Sequence, residues 1–470
     1  MMLFKIAFRN ILRNARRSLM TASAIAVGAI AMILFGEYND FAFLGLQIQA
    51  VTASGHLSVF QKGYFDFGSG NPSGYSIAKY KDVITLIEND PALKPMLNVV
   101  TPTVSLFGIA GNFSVDASKT FFGTGFVPSD RDKMRRWDEN HLRPADFVFS
   151  PLGVSDSEIN KGVVGYGMAR VLGLCAPLKV PNCPSPPKEA VTVDKSAPAL
   201  SVDLAELSAR DSGTTEAKAA SAPSEPRLDL LGATASGAPN VVTFYVTEAQ
   251  NQGIKEFDDA FVGMHIALAQ ELLYGRGEHK AVSIQIQLHH TADLDRAKAR
   301  LNALFAEHHL ALEVHDFAEM SSSYTQIKSF LSVMFGFLSV IMVMIVVFTV
   351  VNTMTMSVME RVNEIGTARA MGVRRSGVRG MFVIEGILLG VIGATAGALL
   401  GTALSYWFNH AGIMYTPPGQ ARAVPVRLLT NDIDLIVRVW IGLVVIATLG
   451  ALVPAGRAAR MKVVDALRHV

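Results

Sequence analysis

Four stretches of the chain lose their polar residues for long enough to cross a bilayer. A helix rising about 1.5 Å per residue needs about 20 apolar residues to span about 30 Å of hydrocarbon. Residues 18–36, 330–352, 380–408 and 435–456 meet that length. The second run carries no charge, the third contains Glu385, and the fourth has Arg438 near its start. In the first run the Ala-Ile-Ala triplets at 24–26 and 29–31 resemble signal-peptidase sites. They lie inside the apolar stretch, however, and the charged segment before it is long for a leader. The pattern therefore predicts a retained anchor.

Elsewhere the period changes. Phe4, Phe8, Ile11, Leu12, Ala15 and Leu19 repeat at helical spacing beside Lys5, Arg9, Arg13 and Arg16, which predicts an amphipathic helix in the interface over residues 1–17, its cations near lipid headgroups. Residues 37–329 are mixed. Residues 56–60 read as a strand and 76–88 as a helix, with strand-like runs at 99–109 and around Phe113. Residues 282–288 alternate as a half-buried strand, 293–308 read as a helix and 310–314 as a further strand. Two β-α-β pieces thus flank the segment and are expected to pair into one α+β layer, with residues 120–280 as a second lobe. Residues 184–240 turn to Ala, Ser, Pro and charge without period, predicting a flexible insertion.

Charge sets orientation. Lys5, Arg9, Arg13, Arg16 and Arg17 precede the first span; Arg361, Arg369, Arg374, Arg375 and Arg379 lie between the second and third; Arg457, Arg460, Lys462 and Arg468 follow the fourth. The loop between the third and fourth has only Arg422 and Arg427. The positive-inside rule then predicts cytoplasmic termini, a cytoplasmic segment 353–379 and tail 457–470. The large segment 37–329 and the short loop 409–434 face outward. With 17% charged residues and a net charge of +2, nothing indicates a nucleic-acid partner.

Candidate chemistry is sparse. Gly386, Gly390, Gly393, Gly397 and Gly401 recur every three or four residues, a smooth face for close helix packing. Glu385 is costly inside a span and is read either as a structural tether to a nearby arginine or as part of a coupled movement. Cys175 and Cys183, the only cysteines, either close a short disulfide loop outside the cytoplasm or stay as two thiols. His289, His290, His308, His309 and His315 fall close together in sequence but lack the Cys or acidic spacing of a metal site, and read as solvated strand and helix ends. The chain has no Gly-x-x-x-x-Gly-Lys-[Ser/Thr] loop and no nucleophile motif. Residues 357–373 read as a short helix in which Glu360, Arg361, Glu364 and Arg369 alternate in sign, stopped at Gly372.

Here a resemblance appears. Asn352 at a span end is followed by Met359-Glu360-Arg361, Glu364-Ile365-Gly366, Ala368-Arg369-Ala370-Met371-Gly372, a basic cluster and Phe382-Val383-Ile384-Glu385-Gly386. This run resembles ABC transporter permeases of the FtsX, LolC–LolE and MacB type. The closing Pro454-Ala455-Gly456-Arg457, the Asp465-Ala466-Leu467-Arg468 end, the early Gly55-His56-Leu57-Ser58-Val59 and residues 165–174 are similar to that family too. The resemblance implies an α-helical membrane domain of four transmembrane helices plus a large α+β periplasmic domain of two lobes between the first and second, in a bacterial inner membrane. It implies a permease subunit rather than an enzyme, with no cofactor of its own, working beside a second permease copy or paralogue. ATP and magnesium would be held by a dimeric partner ATPase seated on a coupling helix that includes Glu360, Arg361, Glu364, Ile365, Gly366, Arg369 and Gly372. Residues 37–53 and 317–328 would be stalks. Cargo would be lipoproteins or other amphiphiles, with an envelope partner to receive them; the alternative is an FtsX-like scaffold that activates an envelope enzyme without transport.

Overall fold

The computed structural model describes residues 2–68, 74–142, 149–181, 183, 226–234, 237–416, 424–430 and 432–461. Most of the expected insertion, Arg422, and Lys462 and Arg468 of the tail lie outside them. The chain divides into two compact units, one of residues 1–49 with 321–417 and 423–470, the other essentially residues 50–320.

The first unit is helical. Helix α1 (Met2–Arg13) stops at Asn14, and α2 (Ala15–Ser54) starts beyond it. The periodic stripe over residues 4–19 is therefore carried by two helices rather than one. Ser18 Oγ donates to the Ile11 carbonyl at 3.2 Å and satisfies an orphan acceptor at the break. Later in the chain come α10 (Ser322–Glu360), α11 (Val362–Ala370), α12 (Arg375–Ala411) and α13 (Ile433–Arg460). Four of these, α2, α10, α12 and α13, are long and apolar enough to cross a membrane. All four extend beyond the apolar runs that announce them. Helix α10 begins at an N-cap, where Ser321 accepts from the Tyr324 amide, so the expected stalk at 317–328 is broken there.

The glycine face of α12 is shared between two neighbours. A Cβ on Gly386 or Gly390 would stand 2.4 Å from Ala451 Cβ or 3.0 Å from Ala447 Cβ, both in α13. On Gly393 or Gly397 it would stand 2.7 Å from Ile25 Cβ or 2.5 Å from Ala29 Cβ, both in α2, and Gly401 faces Ile33 more loosely. Lipid tails are as apolar as leucine, so close van der Waals contact of this kind is what holds such helices together.

The second unit is α+β. Nine strands, β1 (Leu57–Gln61), β2 (Leu97–Asn112), β3 (Ala117–Phe126), β4 (Lys161–Gly165), β5 (Arg227–Ala233), β6 (Pro239–Gln250), β7 (Phe261–His265), β8 (Ser283–Leu288) and β9 (Leu312–Asp316), run in the order β3-β7-β4-β6-β5-β2-β8-β1-β9. Since β3 also pairs with β2, the first six close into a ring. The 16-residue β2 belongs to both parts: its first half pairs with β8 and its second half with β3 and β5. Two apolar cores follow. Helix α3 (Tyr80–Asn89) and helix α8 (Leu294–Glu307) bury Val83, Ile87, Leu301 and Phe305 beside β1, β8 and β9. Helices α5 (Tyr166–Val171) and α7 (Ile266–Tyr274) bury Met168 and Leu272 with Leu106 and Phe244 of the ring. The short helices α4 (Pro128–Arg135), α6 (Lys255–Asp258) and α9 (Phe317–Met320) complete the unit.

The expectation of a flexible insertion through residue 240 is corrected at its end. Arg227–Ala233 is a ring strand, with Leu228 and Leu230 fully buried between β2 and β6. Its alternation is short and was masked by the low-complexity composition before it. Phe113 likewise lies in the turn between β2 and β3, not in a strand.

Candidate functional site

The conspicuous polar construction is where α10 meets α11. Helix α10 ends at Glu360, Arg361 takes φ −109° and ψ 21°, and the chain restarts as α11. The expected single helix over 357–373 is thus an elbow: residues 357–360 belong to α10, and only Val362–Ala370 turn away. Val362, Ile365 and Gly366 are buried, while Gly372 sits at φ +95°, a left-handed position that glycine occupies without strain. It ends α11 and lets α12 start at Arg375.

Arg361 points inward and is only 3% exposed, as is Glu385 of α12. Arg361 Nη1 lies 2.9 Å from Glu385 Oε1, and its Nη2 donates to the Asn10 carbonyl at 3.3 Å. Asn10 Nδ2 donates to the same Glu385 oxygen at 2.7 Å. A carboxylate inside a helix bundle is tolerated when charge and hydrogen bonds meet it, and here they come from two other segments, the elbow and α1. A cavity of about 20 Å³, lined by Asn10, Asn14, Arg17, Thr353, Arg361 and Glu385, adjoins the pair; it has room for one water.

A second layer lies outside this centre. Arg13 Nη2 lies 2.7 Å from Glu364 Oε1, and Arg17 forms an ion pair with Glu360. The two arginines flank the break between α1 and α2 and the two acids flank the break between α10 and α11, so the two pairs bridge one helix junction to the other. Deeper, Thr21 Oγ1 and Thr353 Oγ1 are 2.8 Å apart. On the far side of α11, Arg369 Nη1 donates to the carbonyls of Ala459 at 3.0 Å and Met461 at 2.9 Å, capping the C-terminal end of α13.

Of the residues assigned to the coupling helix, Glu360, Arg361, Glu364 and Arg369 are therefore tied within the chain, and Ile365 and Gly366 are packed. The open part of the elbow is its tip: Met371 is 76% exposed, Val373 is 42% exposed, and Arg374, Arg375 and Arg379 are exposed with no ion pair among the described residues. The sequence marks Arg13 and Arg17 as basic residues before the first span, Arg13 also on the cationic stripe of an interfacial helix, and does not single out Asn10. The matched four-residue spacing of Arg13–Arg17 and Glu360–Glu364 is the signal that could have joined them.

At the opposite end of the helices a second carboxylate, Glu37, is fully buried and accepts a hydrogen bond from Ser405 of α12. In the α+β unit Cys175 and Cys183 are joined as a disulfide. The histidines do not converge. His290 faces Glu139, His315 lies beside Glu313 and Glu319, and no group of three metal-binding side chains occurs among the described residues. His56 is instead a structural hub. It is fully buried, its Nδ1 accepts from the Leu288 amide at 3.0 Å, and its Nε2 lies 3.1 Å from Thr291 Oγ1, which donates to Glu139.

Comparison with known proteins places these features. Residues 336–463 match the FtsX-like permease C-terminal family, a span holding the elbow, α12 and α13. The chain is 32% identical over 120 residues to the macrolide export ATP-binding/permease protein MacB 1 of Aeromonas hydrophila, covering 26% of this chain and 17% of that protein. It is 31% identical over 136 residues to the ABC transporter permease YtrF of Bacillus subtilis, covering 28% and 31%. A longer match, 25% identical over 245 residues, is to the lipoprotein-releasing system transmembrane protein LolC of Neisseria meningitidis, covering 49% and 56%. The chain thus spans less than two thirds of the length of the curated relatives it matches.

Proposed function

We propose that this chain, whose residues 336–463 match the FtsX-like permease C-terminal family, is an ABC-type permease of the FtsX, MacB and LolC kind and the membrane subunit of an ATP-driven exporter. In this reading it lies in a bacterial inner membrane with both termini and the elbow in the cytoplasm. The α+β unit, in two lobes, stands in the periplasm. A separate ATPase dimer holds ATP and magnesium, and a second permease copy or paralogue completes the pump. The observation that carries the reading is the elbow itself, inside the matched segment: its acids Glu360 and Glu364 face their own chain, and its exposed tip is apolar and cationic.

The tip, Met371 to Arg375, is then the surface offered to the ATPase. Its chemistry suits an apolar groove rimmed by carboxylates. The α+β unit supports amphiphilic cargo or an envelope partner: Ile109, Leu231 and Val241 stand in register across β2, β5 and β6 and are exposed, beside an exposed Phe107. Contiguous exposed apolar surface of this kind marks interaction sites.

The test is co-purification of ATPase activity with the tagged permease from its native membrane. The variant Met371→Asp with Arg374→Glu and Arg375→Glu should lose that activity while melting as the parent does. Undiminished co-purification would remove the elbow tip from the contact.

A further inference from the structure

Helix α1 divides into three strips. Phe4, Phe8 and Leu12 recur every four residues and are 53%, 45% and 61% exposed. At about 100° per residue they share one face. Ala7 is fully buried, and Asn10 reaches Glu385; these lie on the opposite face. Arg9 and Arg13 are exposed along the edge between. The apolar strip continues into α2, where Leu19 and Met20 are 68% and 72% exposed, and α2 is itself one of the four spanning candidates. An exposed apolar strip that runs into a span, bordered by cations, fits the headgroup layer of an anionic bilayer.

The same cations hold the elbow. Side-chain exposure is 57% for Arg13 and 58% for Glu364, and 40% for Arg17 and 38% for Glu360. The Arg13–Glu364 pair, this open to solvent, is weak, the Arg17–Glu360 pair is closed only at the Arg17 Nη1, and a lipid phosphate offers a guanidinium the same charge-assisted bonds as a carboxylate. The buried Arg361–Glu385 pair beneath them is shielded from such exchange. We propose that α1 is a strut on the membrane surface that holds the elbow through Arg13, seconded by Arg17 at the start of α2, and that anionic headgroups compete with Glu364 and Glu360 for those arginines. Lipid charge then sets how firmly the elbow is held, with Arg361–Glu385 as the fixed pivot. This rests on the membrane placement proposed above.

The experiment uses the full chain in nanodiscs of phosphatidylcholine alone or mixed with phosphatidylglycerol. Spin labels are attached at Phe8→Cys and Thr367→Cys; the two native cysteines are bonded to each other and do not react. Phosphatidylglycerol should reduce the close-distance population roughly twofold to fivefold, the range expected for one or two exposed ion pairs. The reduction should vanish when Arg13→Gln and Arg17→Gln are added. Depth measurements on the Phe8 label should find lipid, as should a control label at Val340→Cys on the exposed side of α10. A distance distribution indifferent to lipid charge overturns the competition. Val340 in lipid with Phe8 in water, or shielded from both by a protein partner, overturns the strut alone; Val340 in water removes the membrane placement as well.

Discussion

Replacing Arg361 with methionine removes one half of a buried ion pair and leaves Glu385 with only Asn10 to satisfy it. Both charges are 3% exposed and 2.9 Å apart, so the orphaned carboxylate pays its desolvation without the attraction that offset it. Breaking a buried pair in this way costs about 3–5 kcal/mol. Glu385→Leu strands the guanidinium instead, with the Asn10 carbonyl at 3.3 Å as its remaining acceptor, and should cost a similar amount. The double variant Arg361→Met with Glu385→Leu removes both charges together. It should lose far less than the sum of the singles, within about 2 kcal/mol of the parent, because apolar replacement of a whole buried pair is often close to neutral. The cycle would be measured by denaturant titration in mixed micelles, followed through Trp440, whose indole donates to Thr395 at 3.0 Å within the same helical unit. Trp137 and Trp407 are changed to Phe so that one reporter remains. A coupling energy under ~1 kcal/mol, or single variants as stable as the parent, would refute the claim that this pair anchors the elbow.

Four further outcomes follow from the geometry. Gly397→Ala puts a methyl 2.5 Å from Ala29 Cβ and 2.6 Å from the Ala26 carbonyl and should destabilise the helical unit by about 1–3 kcal/mol. Gly442→Ala meets nothing within 4 Å and should be neutral or slightly stabilising in the same titration. Burial pushes the His56 imidazole down to about 4 from its ordinary 6.5. A His lowered on folding favours the native state at neutral pH, and that stability is lost as pH falls from 6.5 to 4, about 3 kcal/mol in all. Melts followed through Trp137, whose ring is 4.9 Å from His56, should show the loss, and a His56→Asn variant should flatten it. Replacing both Cys175 and Cys183 with serine opens a loop whose ends are eight residues apart and should cost about 2–3 kcal/mol, read as faster hydrogen exchange over residues 175–183.

The spans were legible because a membrane imposes a length and a composition that no local context overrides. The glycine face of α12 was equally plain, though not that its two halves serve different neighbours: nothing local in Gly390 or Gly393 says which helix approaches. Glu385 announced itself by its cost, and an arginine partner was within reach of the reading. Asn10 was not, since it lies 375 residues away. The acids Glu360 and Glu364 looked free because sequence shows a charge without its counter-ion. In the α+β unit the alternation of residues 282–288 exposed β8, but ring closure through β2 and β3 depends on register over long separations. Arg227–Ala233 follows directly on a low-complexity stretch, whose composition hides its alternation.

The seams of α12 against α2 and α13 are so close that these three helices have no slack to slide past one another. Helix α10 is held differently. Val346, Val350, Met354 and Val358 are buried in its second half, whereas Phe330, Val333, Phe337 and Val340 in its first half are all more than half exposed. Tyr324 is buried again near the start of α10, so the open stretch of this helix is slung between two held ends.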